Sequence, residues 1–193
     1  WIYDSTETST LTGNGTALFH SKGYSMEIAQ SWDFTKTYTF EFSFRFPNGF
    51  PPRGDDYFGF TMPDHPGKKG QFLLYNPPST GNFRLFIDTA GQRADFETDL
   101  ASLFIGNPQT DFNKITVVHN SSMRRVYVND IFVFEDHIPL DFPETETWRI
   151  FAKGGTDAFG TGVVEMDYIR VWEGDASPGI PNDEILFIET FDY

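Results

Sequence analysis

The chain of 193 residues contains no cysteine. That excludes disulfides, zinc–thiolate centres and thiol nucleophiles. Basic residues are also scarce: 14 Lys and Arg stand against 28 Asp and Glu, for a net charge of −14. No Lys/Arg run exceeds two residues. A duplex-binding protein needs clustered cations to displace counterions from phosphate. An anionic membrane surface asks for the same clusters. Nucleic acid and anionic lipid are therefore poor partners, while a surface of this sign suits cations and stays soluble in salt. No apolar run approaches the ~20 residues of a membrane span. No window of eleven or more residues carries a helical period; "DLASLFIG" (99–106) offers one helical turn. P-loop, GxGxxG and GxSxG motifs are absent. His20, His65, His119 and His137 are scattered, with no HxH or HxxxH spacing for zinc.

Aromatic residues are abundant at 18%, with 22 Phe, as are turn formers, with 17 Gly and 12 Pro. Aromatic and β-branched residues fit a half-buried pleated surface. Alternation with period two dominates. In "TFEFSFRF", Phe40, Phe42, Phe44 and Phe46 share one face, and Glu41, Ser43 and Arg45 the other. In "DYFGFTM", Phe58, Phe60 and Met62 oppose Tyr57, Gly59 and Thr61. "GQFLLYN" and "NFRLFIDT" flank the turn "PPSTG" as a hairpin. "KITVVHN" and "RRVYV" are separated by "SSM". "VYVNDIFVF" turns on Asn129–Asp130, two residues that tolerate the positive φ of a type I′ turn. The pattern predicts an all-β, antiparallel two-sheet jelly-roll sandwich over residues 1–172. Residues 173–184, rich in Asp, Gly, Pro and Ser, read as a linker. Residues 185–193, "ILFIETFDY", read as a further strand of core quality.

Three stretches carry a resemblance. "FTKTYTFEFSFRF" looks like the early strand pair of concanavalin A-like and laminin-G-like domains. "FNKITVVHNSSMRRVYVNDIFVFED" resembles their central unit, a "VVH" strand followed by "VYVN" and a hairpin, and "VVEMDYIRVWEGD" their closing strand. The closing strand is most similar to that of glycoside hydrolase family 16 and the carbohydrate-binding modules sharing its fold. Enzymes of that family place two carboxylates on one central strand as ExDxxE. A retaining hydrolase needs such a pair about 5–5.5 Å apart. The nearest approaches here, Glu165/Asp167 and Glu97/Asp99, both lack the second Glu. The resemblance thus implies the fold and argues against that catalysis.

It also implies a structural calcium. The closing-strand Asp of this group commonly binds one, helped by backbone carbonyls of an early "NG-small-L" strand and of the first strand. Asp167 matches the first element. "GNGTALF" matches the second and points to Gly15. "FIETFDY" matches the third and points to Glu189 and Thr190, but at the opposite end of the chain. One Asp with carbonyls and waters suits a hard cation that takes six to eight oxygens. A strand displaced to the C-terminus has three explanations: circular permutation within the chain, exchange into a neighbouring subunit, or a tandem array cut one strand into the next domain. Each is within reach of the linker.

Sugar binding on this fold implies aromatic platforms and hydrogen-bonding side chains on the concave face. Tyr57, Tyr75, Arg84 and Trp148 are the candidates by alternation. "RGD" at 53–55, the acidic group Asp55, Asp56 and Asp64 with His65, and the sequons at Asn14 and Asn120 are further motifs; solvated turns explain the first two. The expectation is a secreted or cell-surface glycan-binding domain, not an enzyme, with a structural calcium. Its alternatives are a subunit that assembles through residues 185–193 and a polysaccharide hydrolase or lyase.

Overall fold

The computed structural model describes residues 2–3, 9–11, 15–20, 24–33, 35–47, 57–61, 70–75, 84–89, 92–96, 100–137, 145–153, 163–178 and 185–189. Side chains are described at 15, 16, 18, 33, 35–47, 102–135, 137 and 164–178. In chain order the strands are β1 (Ile2–Tyr3), β2 (Ser9–Leu11), β3 (Ala17–His20), β4 (Tyr24–Asp33), β5 (Tyr38–Arg45), β6 (Tyr57–Thr61), β7 (Gly70–Tyr75) and β8 (Arg84–Thr89). They continue with β9 (Gln92–Phe96), β10 (Asn113–His119), β11 (Arg124–Val128), β12 (Ile131–Asp136), β13 (Thr145–Lys153), β14 (Val163–Glu173) and β15 (Ile185–Glu189). The expected helical turn is a 3₁₀ turn at Leu100–Leu103.

Among the described residues all strand pairing is antiparallel, in two sheets. One has seven strands in the order β1-β4-β13-β6-β7-β8-β9. The other has eight, β12-β11-β10-β5-β14-β3-β2, with β15 also on β14. The anticipated hairpins β7–β8 and β11–β12 are present, and β10 pairs with β11 as a further one. Asn129 and Asp130 have φ of 48° and 66°, the double positive φ of a type I′ turn. Asn129 locks that turn: its Oδ1 accepts from Lys114 N at 2.9 Å and its Nδ2 donates to Leu103 O at 2.9 Å.

The Phe alternation of β5 makes the core of the eight-stranded sheet. Phe42, Phe44 and Phe46 are at most 1% exposed. Ile115, Val117, Val126, Val128, Val164, Met166, Ile169 and Val171 share their face and are buried too. Each such side chain contributes about 1.5–3 kcal/mol by leaving water. Phe44 and Phe46 meet edge to face at 5.3 Å. Phe104, just after the 3₁₀ turn, closes on Phe44 at 6.0 Å. His119 and Arg124 face each other at the end of this same apolar face and are buried.

A bulge shapes β14. Met166 pairs with Phe44 but Tyr168 with Ser43, so Asp167 is an extra, bulged residue. The bulge explains why the buried positions change phase, from Val164 and Met166 to Ile169 and Val171. Beyond β14, residues 174–178 of the expected linker lie against the sheet. Gly174 N donates to Thr37 O at 2.7 Å. Thr39 Oγ1 donates to Gly174 O and accepts from Ala176 N, both at 2.8 Å. Arg125 then holds Asp175 through Nη1 at 2.7 Å while its Nε binds Glu135. The C-terminal strand β15 pairs with β14 of its own chain, Ile169 opposite Glu189 and Val171 opposite Phe187.

Candidate functional site

Strand register sorts the seven-stranded sheet into two faces. One bears the positions Tyr24, Ala152, Phe58, Leu74, Leu85 and Phe96, then Met26, Ile150, Phe60, Phe72, Ile87 and Ala94 in the next shared row. Both rows are apolar, as a core face requires, and the face turns polar at its end row, Gly70–Thr89–Gln92. The opposite face carries three cross-strand rows. The first runs Lys153–Tyr57–Tyr75–Arg84. The second runs Ser25–Phe151–Gly59–Leu73–Phe86–Asp95. The third runs Glu27–Arg149–Thr61–Gln71–Asp88–Arg93.

Three of the four sugar-binding candidates thus stand in one line: Tyr57 opposite Tyr75, and Tyr75 opposite Arg84. Trp148 does not join them. It follows the alternation of Ile150 and Ala152, whose partners are Phe60 and Phe58. The alternation of "TWRIFAK" is ambiguous because both of its phases contain apolar residues; only pairing with β6 resolves it. Lys153, absent from the sequence expectation, and Gly59, which alternation already set beside Tyr57 and Thr61, belong to the outward face. A glycine inside a central strand removes a side chain from the middle of a face, a feature of strands that a ligand approaches closely.

The expected cation site lies on the other sheet. β3 pairs with Val163–Met166 and β15 with Ile169–Trp172, both on the edge of β14 away from β5. Asp167 and Tyr168 occupy the break between them. Both neighbours run antiparallel to β14, so the start of β3 and the end of β15 converge on the bulge. Met166 stands opposite Ala17, which brings Thr16 and Gly15 towards Asp167. Ile169 stands opposite Glu189, whose side chain, like all of Thr190, lies outside the described residues. Gly15 has φ of 76°, in the left-handed region glycine favours. Among the described residues no three His, Asp or Glu side chains form a metal cluster. A cation here would be held by the Asp167 carboxylate and backbone oxygens of the two converging strand ends, donors of the hard kind that calcium accepts.

A charged network braces that corner. Glu165 accepts from Thr16 Oγ1 at 2.8 Å, from Arg45 Nε at 2.8 Å and from Arg45 Nη2 at 2.9 Å. Burial pushes the Glu165 carboxyl up, but Arg45 and Thr16 outweigh it and hold it below its ordinary value. Arg45 also donates to Thr110 O at 3.0 Å and lies over the Phe112 ring at 4.6 Å. Next along β5, buried Glu41 accepts from Tyr168 OH at 3.0 Å, with Lys114 Nζ at 3.4 Å. Burial, then the charge of Glu41, raises the Tyr168 hydroxyl above its ordinary value, so it stays protonated and donates. Arg170 stacks on Tyr168 at 4.0 Å. These residues sit on the polar face of "TFEFSFRF" and "MDYIR". The signal available in sequence was the alternation of Glu41, Ser43 and Arg45 in a strand whose every position to Phe44 is buried.

Arg53–Gly54–Asp55, Asp55, Asp56, Asp64, His65 and Asn14 lie outside the described residues. At the other sequon, Asn120 Nδ2 donates to Thr37 Oγ1 at 3.0 Å and its Oδ1 accepts from Ser122 N at 2.9 Å.

No protein-family model and no curated protein matches the chain. Solved structures do. The chain is similar to the carbohydrate recognition domain of Emp47p, at 18% identity and a TM-score of 0.62, over 90% of this chain and 89% of that one. It is similar to the alginate lyase AlgAT5 of polysaccharide lyase family 7, at 15% identity and a TM-score of 0.59, over 89% and 85%. It also resembles the binding domain of botulinum neurotoxin serotype D, at 10% identity and a TM-score of 0.59, spanning 42% of that longer chain. At these identities the likeness is one of fold: the chain has the all-β, lectin-like jelly-roll fold.

Proposed function

We propose that this domain binds glycans without cleaving them, through the outward face of the seven-stranded sheet. The observation that carries the reading is the set of three registered rows, which brings Tyr57, Tyr75, Phe151 and Phe86 positions to one face beside Arg, Lys, Gln and Asp. Aromatic rings cover the C–H patches of sugars, and charged or amide groups fix their hydroxyls. Gly59 leaves the centre of that face low. The fold shared with a carbohydrate recognition domain and a polysaccharide lyase supports the reading. Its setting is outside the cell or at the cell surface, where an acidic, cysteine-free protein stays soluble in salt.

A calcium ion at Asp167, with Gly15, Glu189 and Thr190, belongs to the same proposal as a brace, remote from the sugar. It would tie the start of β3 to the end of β15 across the bulge of β14. Calcium should raise the melting temperature of the native chain, and Asp167→Ala should remove that rise. An Asp167→Ala protein stabilised as much as the native one would refute the site.

The binding reading is tested on a polysaccharide array. Tyr57→Ala and Tyr75→Ala should each weaken binding about tenfold, worth about 1.4 kcal/mol. Retained binding in both variants, or no bound glycan for the native chain, contradicts the reading. Release of reducing ends or unsaturated products from a bound polysaccharide would move the protein to the hydrolases or lyases.

A further inference from the structure

Among the described residues the outward face of the seven-stranded sheet carries four cations, and register divides them into two kinds. In the row Glu27–Arg149–Thr61–Gln71–Asp88–Arg93, both arginines stand directly opposite an acid: Arg149 opposite Glu27, and Arg93 opposite Asp88. Opposite charges across a strand pair stabilise a sheet by about 0.2–1 kcal/mol. That is sufficient reason for those two residues, whose registered partners carry the opposite charge. Four residues along β13 lies the row Lys153–Tyr57–Tyr75–Arg84. Here the registered partner of Lys153 is Tyr57, and that of Arg84 on β7 is Tyr75. The two cations bracket two tyrosines across three strand spacings, about 14 Å at 4.7–4.9 Å each. The chain has only 14 basic residues and a net charge of −14. Among the described residues no acid stands in register with this row, and the acid of the same face diagonal to Arg84 is Asp95, opposite Phe86; a row with a cation at each end is therefore conspicuous in so acidic a chain.

Deepening the glycan-binding reading, on which this inference rests, we propose that the Lys153–Tyr57–Tyr75–Arg84 row takes an acidic glycan, one whose sugars bear carboxylate or sulfate. The glycan lies across strands β13, β6, β7 and β8. The tyrosines serve the sugar rings, and Lys153 and Arg84 serve the anionic groups towards either end. Arg is suited to a bidentate carboxylate or sulfate, Lys to a point contact. The negative charge of the rest of the chain repels a polyanion at long range, and salt screens that repulsion. Selectivity must therefore come from short-range contacts in this row.

A structural explanation competes: Lys and Arg also stand beside Tyr for cation–π stabilisation of the sheet alone. Charge-selective binding separates the two. Calorimetric titration of the whole chain uses three probes: an oligogalacturonate, the same oligosaccharide with its carboxyls reduced, and a heparin oligosaccharide. At least one acidic probe should bind tenfold or more tighter than the reduced one. Preference for oligogalacturonate or for heparin identifies carboxylate or sulfate as the recognised group. Lys153→Gln and Arg84→Gln should each cut the preference for the acidic probe over the reduced one several-fold, and the double variant should abolish it. Lys153→Arg and Arg84→Lys, which keep the charge, should retain most of it. Two results overturn the inference while leaving glycan binding intact: equal affinity for acidic and reduced probes, or full preference in the double variant. If no oligosaccharide of any kind binds, the inference and the glycan reading fall together.

Discussion

Removing Arg45 should be far more costly than removing Lys36, although each forms one ion pair with a Glu of β14. The pairs differ in burial. In Lys36–Glu173 the side chains are 50% and 47% exposed; in Arg45–Glu165 they are 28% and 9% exposed. An exposed pair contributes at most about 1 kcal/mol. Breaking a fully buried pair costs about 3–5 kcal/mol, because a charge is left behind without its partner. Arg45→Met keeps the aliphatic stem but leaves the Glu165 carboxylate with Thr16 as its remaining side-chain donor among the described residues. Water reaches the Arg45 end in part, so a cost of about 2–3 kcal/mol is expected. For a domain of this size that lowers Tm by about 4–12 °C. The double variant Arg45→Met/Glu165→Leu should be more stable than Arg45→Met alone, since an apolar pair avoids stranding a charge. The pH dependence has a definite sign. The folded-state carboxyl of Glu165 lies below its ordinary 4.5, so its contribution is present above that pH and is lost as pH falls through the folded value. The gap between native chain and Arg45→Met should therefore narrow in acid. Urea unfolding of the three variants at neutral and acid pH measures all of this. Equal costs for Arg45→Met and Lys36→Met would refute the argument from burial.

His119 gives a second acid signature. Burial, and then the charge of Arg124, push its imidazole down from 6.5 to about 3. Below 6.5 the unfolded chain takes up a proton that the folded chain refuses, so stability falls as pH drops towards 3, by up to about 1.4 kcal/mol per pH unit. His119→Gln should flatten the stability–pH slope over that interval by this amount; an unchanged slope would show that the ring protonates in place. Because β15 pairs with β14 of its own chain, the intact protein should elute as a monomer in size exclusion, and a chain ending at Asp183 should be monomeric and less stable. Oligomers that disappear on this truncation would instead establish exchange of the C-terminal strand.

Much of the local structure was legible in the sequence. The alternation of Phe40 to Phe46 identified the buried face, and Asn129–Asp130 identified the type I′ turn, because each depends on neighbours a few residues apart. What strand lies beside what was not legible. Period two assigns a residue to a face but not to a partner, so Tyr57, Tyr75 and Arg84 could be named singly, while their line and its fourth member, Lys153, could not. The same gap misplaced Trp148, whose strand has apolar residues in both phases. The bulge at Asp167 depends on pairing between β14 and β5, some 120 residues apart in sequence, and leaves no local mark. The run from 174 to 178 has the composition of a linker, yet Thr39 and Arg125 hold it by hydrogen bonds to its backbone and short polar side chains. Composition reports the residues' preference for turns, not the groups they meet.

The central claim is that sugar binds the outward face of the seven-stranded sheet. Backbone amide shifts measured by NMR while a bound oligosaccharide is titrated in test it most directly. The account predicts the largest changes at Tyr57, Gly59, Thr61, Leu73, Tyr75, Arg84 and Lys153, on four adjacent strands. Changes confined instead to the polar face of the other sheet, around Lys114, Tyr127, Tyr168 and Phe132, would contradict it.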